Sequence, residues 1–161
     1  FKTAGIVHWL MGSLDAPAEG DLAAVGGALA VGLALLAPFA RDLNLLAVGE
    51  ETARSLGVRV GRARTCVFLG ASLLSGAAVA VAGPIGFVGL IVPHALRLLI
   101  GPDNRLLLPA AVLGGAAFLA VCDTAARASL SYGFPVGVVT ALLGGPLFVL
   151  LLRLRRSSVV L

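Results

Sequence analysis

Residues 65–96 read TCVFLGASLLSGAAVAVAGPIGFVGLIVPHAL, 32 consecutive positions without an aspartate, glutamate, lysine or arginine. One straight helix of that length, rising ~1.5 Å per residue, overshoots the ~30 Å hydrocarbon core of a bilayer. The stretch therefore has to fold back. Gly83-Pro84 supplies the break, because proline brings no amide donor to a helix and glycine permits the turn. Thr65 to Ala82 then makes one crossing. Pro84 to Leu96 is too short to cross as pure helix, but the glycines at 83, 86 and 89 let part of it run extended at over ~3 Å per residue. Extended backbone at membrane depth must be buried in protein, so this half reads as a broken helix inside a bundle, an element that recurs at transport pathways.

Outward from this stretch, Leu22 to Ala40 and Leu106 to Cys122 are charge-free runs of 19 and 17 residues, each close to the ~20 that span a bilayer once. Ala128 to Leu152 is interrupted by Tyr132-Gly133-Phe134-Pro135, a turn whose aromatics suit the membrane interface, and Val136 to Leu152 becomes the last crossing. Ile6 to Leu14 holds Trp9 and gives way to Asp15, Glu19 and Asp21, which reads as an external interfacial helix and loop. Composition agrees: 59% of the 161 residues are hydrophobic and 12% charged, where soluble domains carry about 25% charged. The expected fold is all-α and polytopic, with about five transmembrane helices, one of them short and broken. The chain opens on Phe1, with no basic segment and cleavage site behind it, so an internal piece with earlier helices missing is expected.

Basic residues fix the expected orientation. If all five segments cross, Arg41, Arg54, Arg59, Arg62, Arg64, Arg97, Arg105, Arg153, Arg155 and Arg156 share one side, leaving Lys2 and Arg127 on the other. Were Pro84 to Leu96 not to cross, the split would fall to 6 and 6. The positive-inside rule therefore favours five crossings, a cytoplasmic C-terminus and an external residue 1.

Several chemistries are excluded. Net charge is +4, but the arginines sit between apolar segments rather than in a stripe with aromatics, so nucleic acid is not an expected partner. Lys2 is the one lysine, and a phosphate loop ending Gly-Lys-Ser/Thr cannot be built from it. Metal-protease and serine-hydrolase signatures are absent from the sequence, and Cys66 and Cys122 have no metal-ligand spacing. No catalytic residue, cofactor or metal site is expected. Ion-coupled carriers place ionisable residues near the bilayer midplane, and none of the five segments holds one. Energy for any transport then enters from outside the membrane domain.

Between the first two crossings, Glu50 and Glu51 suit the positive end of a short helix starting near Gly49. Glu50 to Arg54 is an i,i+4 pair, and Gly57 fits a left-handed cap. Periodicity alone makes this an amphipathic surface helix. The wording of the sequence goes further. Leu45-Leu46-Ala47-Val48-Gly49-Glu50-Glu51-Thr52-Ala53-Arg54-Ser55-Leu56-Gly57, then Gly83-Pro84-Ile85-Gly86-Phe87-Val88-Gly89-Leu90-Ile91-Val92-Pro93-His94, Leu107-Leu108-Pro109 and Pro135-Val136-Gly137-Val138-Val139-Thr140-Ala141-Leu142-Leu143-Gly144, in that order, resemble the permeases of the FecCD family.

The resemblance implies the last five of about ten helices of an inner-membrane permease that imports iron-siderophore, haem or cobalamin. Its implied partners are a cytoplasmic ATP-binding-cassette ATPase, a periplasmic or cell-surface substrate-binding protein, a second permease subunit as homodimer or paired half, and membrane lipid. It makes Glu50, Glu51, Ala53, Arg54, Leu56 and Gly57 the element that docks in a cleft of the ATPase. It gives Arg127 a glutamate of the binding protein to meet, against a plain intrahelical pair with Asp123. It sets the last helix beside the translocation path, with Gly137, Thr140 and Gly144 as candidates, against plain packing of a small-residue ridge. His94 reads as a packing or hydrogen-bonding residue rather than a ligand, since no second ligand accompanies it, and His8, in the external interfacial segment, is weak evidence for haem. The family's usual Glu-Leu-Pro run is replaced by Tyr132-Gly133-Phe134-Pro135. The rival readings are a structural membrane scaffold and an ion-coupled carrier with no ATPase.

Overall fold

The computed structural model describes residues 9–14, 18–128 and 135–157, with no side-chain placement beyond residue 149. Backbone polar groups in lipid must be satisfied within their own segment, and apolar runs of this length accordingly wind into helices. Seven α-helices occur among the described residues: α1 Glu19–Leu36, α2 Ala40–Val48, α3 Glu50–Ser55, α4 Val60–Ala82, α5 Val88–Ile100, α6 Asn104–Ala128 and α7 Val136–Ser157. Three helical stretches are long and apolar enough to cross a membrane, Glu19–Val48, Val60–Ala82 and Asn104–Ala128, and two shorter apolar ones join them, Val88–Ile100 and Val136–Val149. The all-α polytopic class, with one short crossing preceded by irregular chain, is what the hydropathy pattern predicts.

The chain divides into two compact units. The first holds residues 16–81 and 100–109. Glu19 and Asp21 lie in the first turn of α1, where carboxylates oppose the positive end of the helix dipole. The expected end of this crossing at Ala40 is not an end: a 3₁₀ turn, Ala37–Phe39, joins α1 to α2, and winding continues to Val48. Pro38 sits in the first positions of that turn, where a missing amide costs little, so it tightens the helix without stopping it. α1 and α4 approach closely at two glycines. The Leu74 side chain covers Gly32, and Leu36 lies 3.0 Å from where a Cβ on Gly70 would stand. Small residues at such crossings let helices pack without a hydrophobic driving force.

The second unit comprises residues 1–15, 82–99 and 110–161. Its described N-terminal part differs from the interfacial helix expected over Ile6 to Leu14: only Trp9 and Leu10 are helical, Met11 is a turn, residues 12–14 are irregular, and 6–8 lie outside the described residues. This stretch packs into protein, with Ser13 N donating to Ala82 O at 2.9 Å and Gly137 N to Gly12 O at 3.3 Å. Gly83 has φ +71°, and a Cβ there would collide with the Trp9 carbonyl oxygen. After it the chain stays non-helical until Val88, and Phe87 holds a left-handed φ of 67° as it enters α5. Gly114 of α6 receives Val92 and Leu96 of α5, each 3.3 Å from its would-be Cβ. Cys122, Ala126 and Val136 form a buried cluster with Leu14, Phe118, Leu119 and Val139 around it.

Candidate functional site

The corner between α2 and α4 is built from the sequence Gly49 to Arg64. Gly49, at φ 147° and ψ 147°, is outside helical space and ends α2, so α3 starts afresh at Glu50. α3 has six residues and stops by a complete Schellman arrangement: Val58 N donates to Ala53 O at 2.9 Å, Gly57 N to Arg54 O at 3.0 Å, and Gly57 takes φ +87°. The accompanying apolar contact is present, since Ala53, Val58, Val60 and Ala63 form a buried cluster with Phe39, Leu45 and Leu46 against it.

Burial sorts the residues expected to meet an ATPase. Glu51, Arg54, Leu56 and Gly57 are exposed, and Leu56 shows 62% of its surface. Ala53 is fully buried in the apolar cluster beneath the helix. Glu50 is half-exposed and pairs with Arg54 at 3.3 Å, the i,i+4 contact read from spacing. It also pairs with Arg64 of α4, which pins the start of α3 to the start of the next crossing. Sequence reasoning missed Arg64, because the two residues are neighbours only once the corner has closed. A hollow of about 410 Å³ beside the corner is lined by Arg41, Arg59 and Arg62 around Asp42, Leu56 and Gly57.

A second polar group lies close by in the same unit. Asn44, near the middle of α2, donates from Nδ2 to Asp103 Oδ1 at 2.6 Å. Its Oδ1 accepts from the Asn104 backbone N–H at 2.9 Å and from Asn104 Nδ2 at 2.8 Å. Asp103 caps α6 through its own Oδ1, which accepts from Arg105 N at 3.0 Å. The hydrogen bonds from the Arg105 backbone and then from Asn44 hold the Asp103 carboxyl below its ordinary range. No local pattern in the sequence marks this group, whose members stand 59 and 60 positions apart.

The remaining candidates lie in the other unit. Arg127, half-exposed, donates from Nε to Asp123 Oδ2 at 2.8 Å and from Nη2 to Leu14 O at 3.3 Å. The intrahelical pair is thus formed, and the arginine also holds the irregular segment that ends at Leu14. Thr140 is fully buried and its hydroxyl donates to Gly137 O of its own helix at 3.0 Å. Gly137 lies under the Met11 carbonyl, and Gly144 lies under the Cβ and ring of Phe87. Both are points of close packing. Gly137 also borders an apolar hollow of about 600 Å³ with Leu10, Met11, Pro84 and Leu142. His94 is half-buried within α5. His8 and Tyr132 to Phe134 lie outside the described residues. No group of three or more His, Cys, Asp or Glu gathers among the described residues in a way that could hold a metal.

An exposed, rigidly capped corner between membrane-length helices is suited to contact and to the transfer of force, and it carries no reacting group. Known proteins resemble the chain along nearly its whole length. The chain is 50% identical, over 92% of its length, to a cobalamin import system permease protein of Halobacterium salinarum, of which it covers 40%. It is 47% identical over 93% of its length to a hemin transport system permease protein of Yersinia pestis, covering 45% of that protein. A solved chain described as an inward-facing conformation of a metal-chelate type ABC transporter superposes on 94% of this chain and 49% of its own, with a TM-score of 0.83 and 35% identity. The chain therefore spans about half the length of the relatives it matches. Residues 1–154 match the model of the FecCD transport family, and the chain belongs to that family.

Proposed function

We propose that this chain is the C-terminal half of a permease that imports a metal chelate, haem or cobalamin across the inner membrane, driven by a separate ATPase. Family membership carries the reading, and the exposed corner at Glu50–Gly57 supports it. Importers of this kind need a surface that receives the ATPase stroke without bending, and a six-residue helix held by a Schellman cap, a buried alanine seat and a two-arginine clamp on Glu50 is such a surface. Glu51, Arg54, Leu56 and Gly57 make the contact in this proposal, Glu50 and Ala53 hold the helix in place, and ATP is hydrolysed in the partner. The arginine distribution supports a cytoplasmic corner and C-terminus. We assign Arg127 to docking of the binding protein, since its side chain remains 56% exposed while bonded to Asp123 and to the Leu14 carbonyl.

The scaffold and ion-coupled readings lose ground to the relatives, which are named as import or transport permeases. The test is reconstitution of the full-length permease with its ATPase and binding protein in proteoliposomes, offering cobalamin, haemin and ferric citrate in turn. ATP-dependent accumulation of one of them is expected. Accumulation that follows an imposed proton or sodium gradient without ATP would replace this reading by the carrier. Arg127→Glu is expected to weaken binding-protein affinity, with the loss shrinking as salt rises.

A further inference from the structure

Asn44 is held at every polar atom of its amide, and all its partners belong to the turn and helix start at Asp103–Asn104. The orientation of the amide is fixed by chemistry: reversed, its NH₂ would face the Asn104 backbone and side-chain donors, and its oxygen would face the Asp103 carboxylate. The two ends joined here have different duties. Asn44 lies on α2, five residues before Gly49 and the capped corner. Gly101–Asp103 is the connection between α5, which follows the glycine-proline break, and α6, one of the three membrane-length helices. Asn44 thus joins two segments that are 59 and 60 positions apart along the chain.

We propose that Asn44 is a positioning residue of the transport cycle, clamping the ATPase-facing corner to the α5–α6 turn so that displacement of α2 moves that turn with it. The proposal rests on the coupling role given to the corner above. Coupling between sites requires a physical element that both sites bias, and a side chain hydrogen-bonded at three points to a helix start is such an element. Asp103 and Asn104 are suited to be gripped. The first is oriented by capping α6, and the second offers both its backbone and side-chain N–H to one oxygen.

The hydrogen bonds can be broken and remade by exchange. In Asn44→Asp two carboxylates face each other, and the grip on Asp103 is lost. In Asn44→Asp with Asp103→Asn the donor and acceptor are exchanged: the new carboxylate accepts from Asn104, and, because one oxygen of Asp103 accepts both from Asn44 and from Arg105 N, the new amide turns so that its NH₂ donates to residue 44 while its oxygen stays on Arg105 N. In proteoliposomes holding the full-length permease, ATPase and binding protein, the readout is cobalamin, haemin or ferric citrate accumulated per ATP hydrolysed. Asn44→Asp is expected to lower that ratio by about tenfold while ATPase still co-purifies, and the double variant to return it to within about twofold of wild type. Asn44→Ala should lower the ratio similarly and gain nothing from Asp103→Asn, which separates a hydrogen-bonded clamp from a general need for bulk. Should Asn44→Asp fail to reach the membrane, the alanine pair and the double variant still decide the matter. An unchanged ratio in Asn44→Asp or Asn44→Ala, or a folded double variant that is not restored, overturns the clamp alone. A wild-type complex with no ATP-driven accumulation overturns the transport reading and this one with it.

Discussion

Gly57 and Gly83 are both left-handed, at φ +87° and +71°, and they fail differently when changed. Around Gly57 a Cβ would meet nothing within 4 Å, whereas on Gly83 it would strike the carbonyl of Trp9. Gly57 is glycine for its backbone alone, at an exposed corner. Gly83 is glycine for its backbone and for the space it leaves, in a seam where residues 9–13 lie against the break before α5. One position sets where an exposed helix points. The other sets whether a buried junction closes.

Substitutions can break that contrast. Gly83→Ala has the largest expected effect, adding ~1–2 kcal/mol of left-handed strain to ~1–3 kcal/mol of overpacking, enough to lower membrane yield and the thermal midpoint in detergent together. If its yield and midpoint match wild type, the seam is not closed in the membrane. Gly57→Val should cost only the backbone strain, ~1–2 kcal/mol. Insertion, the binding-protein interaction and basal ATPase should survive, while substrate-stimulated ATP hydrolysis is lost. Gly57→Asn, which tolerates the left-handed region, should keep most of that stimulation, and a loss as deep as that of valine would show that φ is not what matters. Glu50→Gln weakens two pairs between half-exposed and exposed groups, worth under ~1 kcal/mol, and should reduce stimulation less than Gly57→Val does. Gly86→Ala should be nearly silent in midpoint, within ~0.5 kcal/mol, because its φ is not left-handed and its Cβ would find open space.

What could be read in the sequence was local or periodic. The charge-free runs and Gly83-Pro84 locate the crossings because burial of charge and loss of an amide donor act within a few residues. The cap at Gly57 was legible for the same reason, since a helix end is decided by its last turn and the next two residues. The continuation of the first crossing through Pro38 was not, because proline at the opening of a 3₁₀ turn and proline as a stop look alike in one dimension. The second arginine on Glu50 and the grip of Asn44 on Asp103 depend on folding that brings distant segments together. The bond from the Thr140 hydroxyl to the carbonyl three residues earlier is local and could be read from a threonine inside a helix. Phe87 gave no signal at all, since nothing about phenylalanine announces φ 67°.

The 3₁₀ join at Ala37–Phe39 has a further consequence for the corner it leads to. From Glu19 to Val48 the chain is helical but for the turn that ends at Phe39, at φ −95° and ψ 4°, and the summed rise of those 30 residues is about 45 Å, some 15 Å more than the hydrocarbon layer. α2 is then a mast, and the capped corner rides at its tip. A mast built from helix fixes compass bearing as strictly as height: one residue inserted between Phe39 and Gly49 would lift the tip by only ~1.5 Å but swing it through ~100°. Two whole turns removed would lower it by ~10 Å with its heading almost kept. The nine residues of α2 thus act as a phase as well as a length.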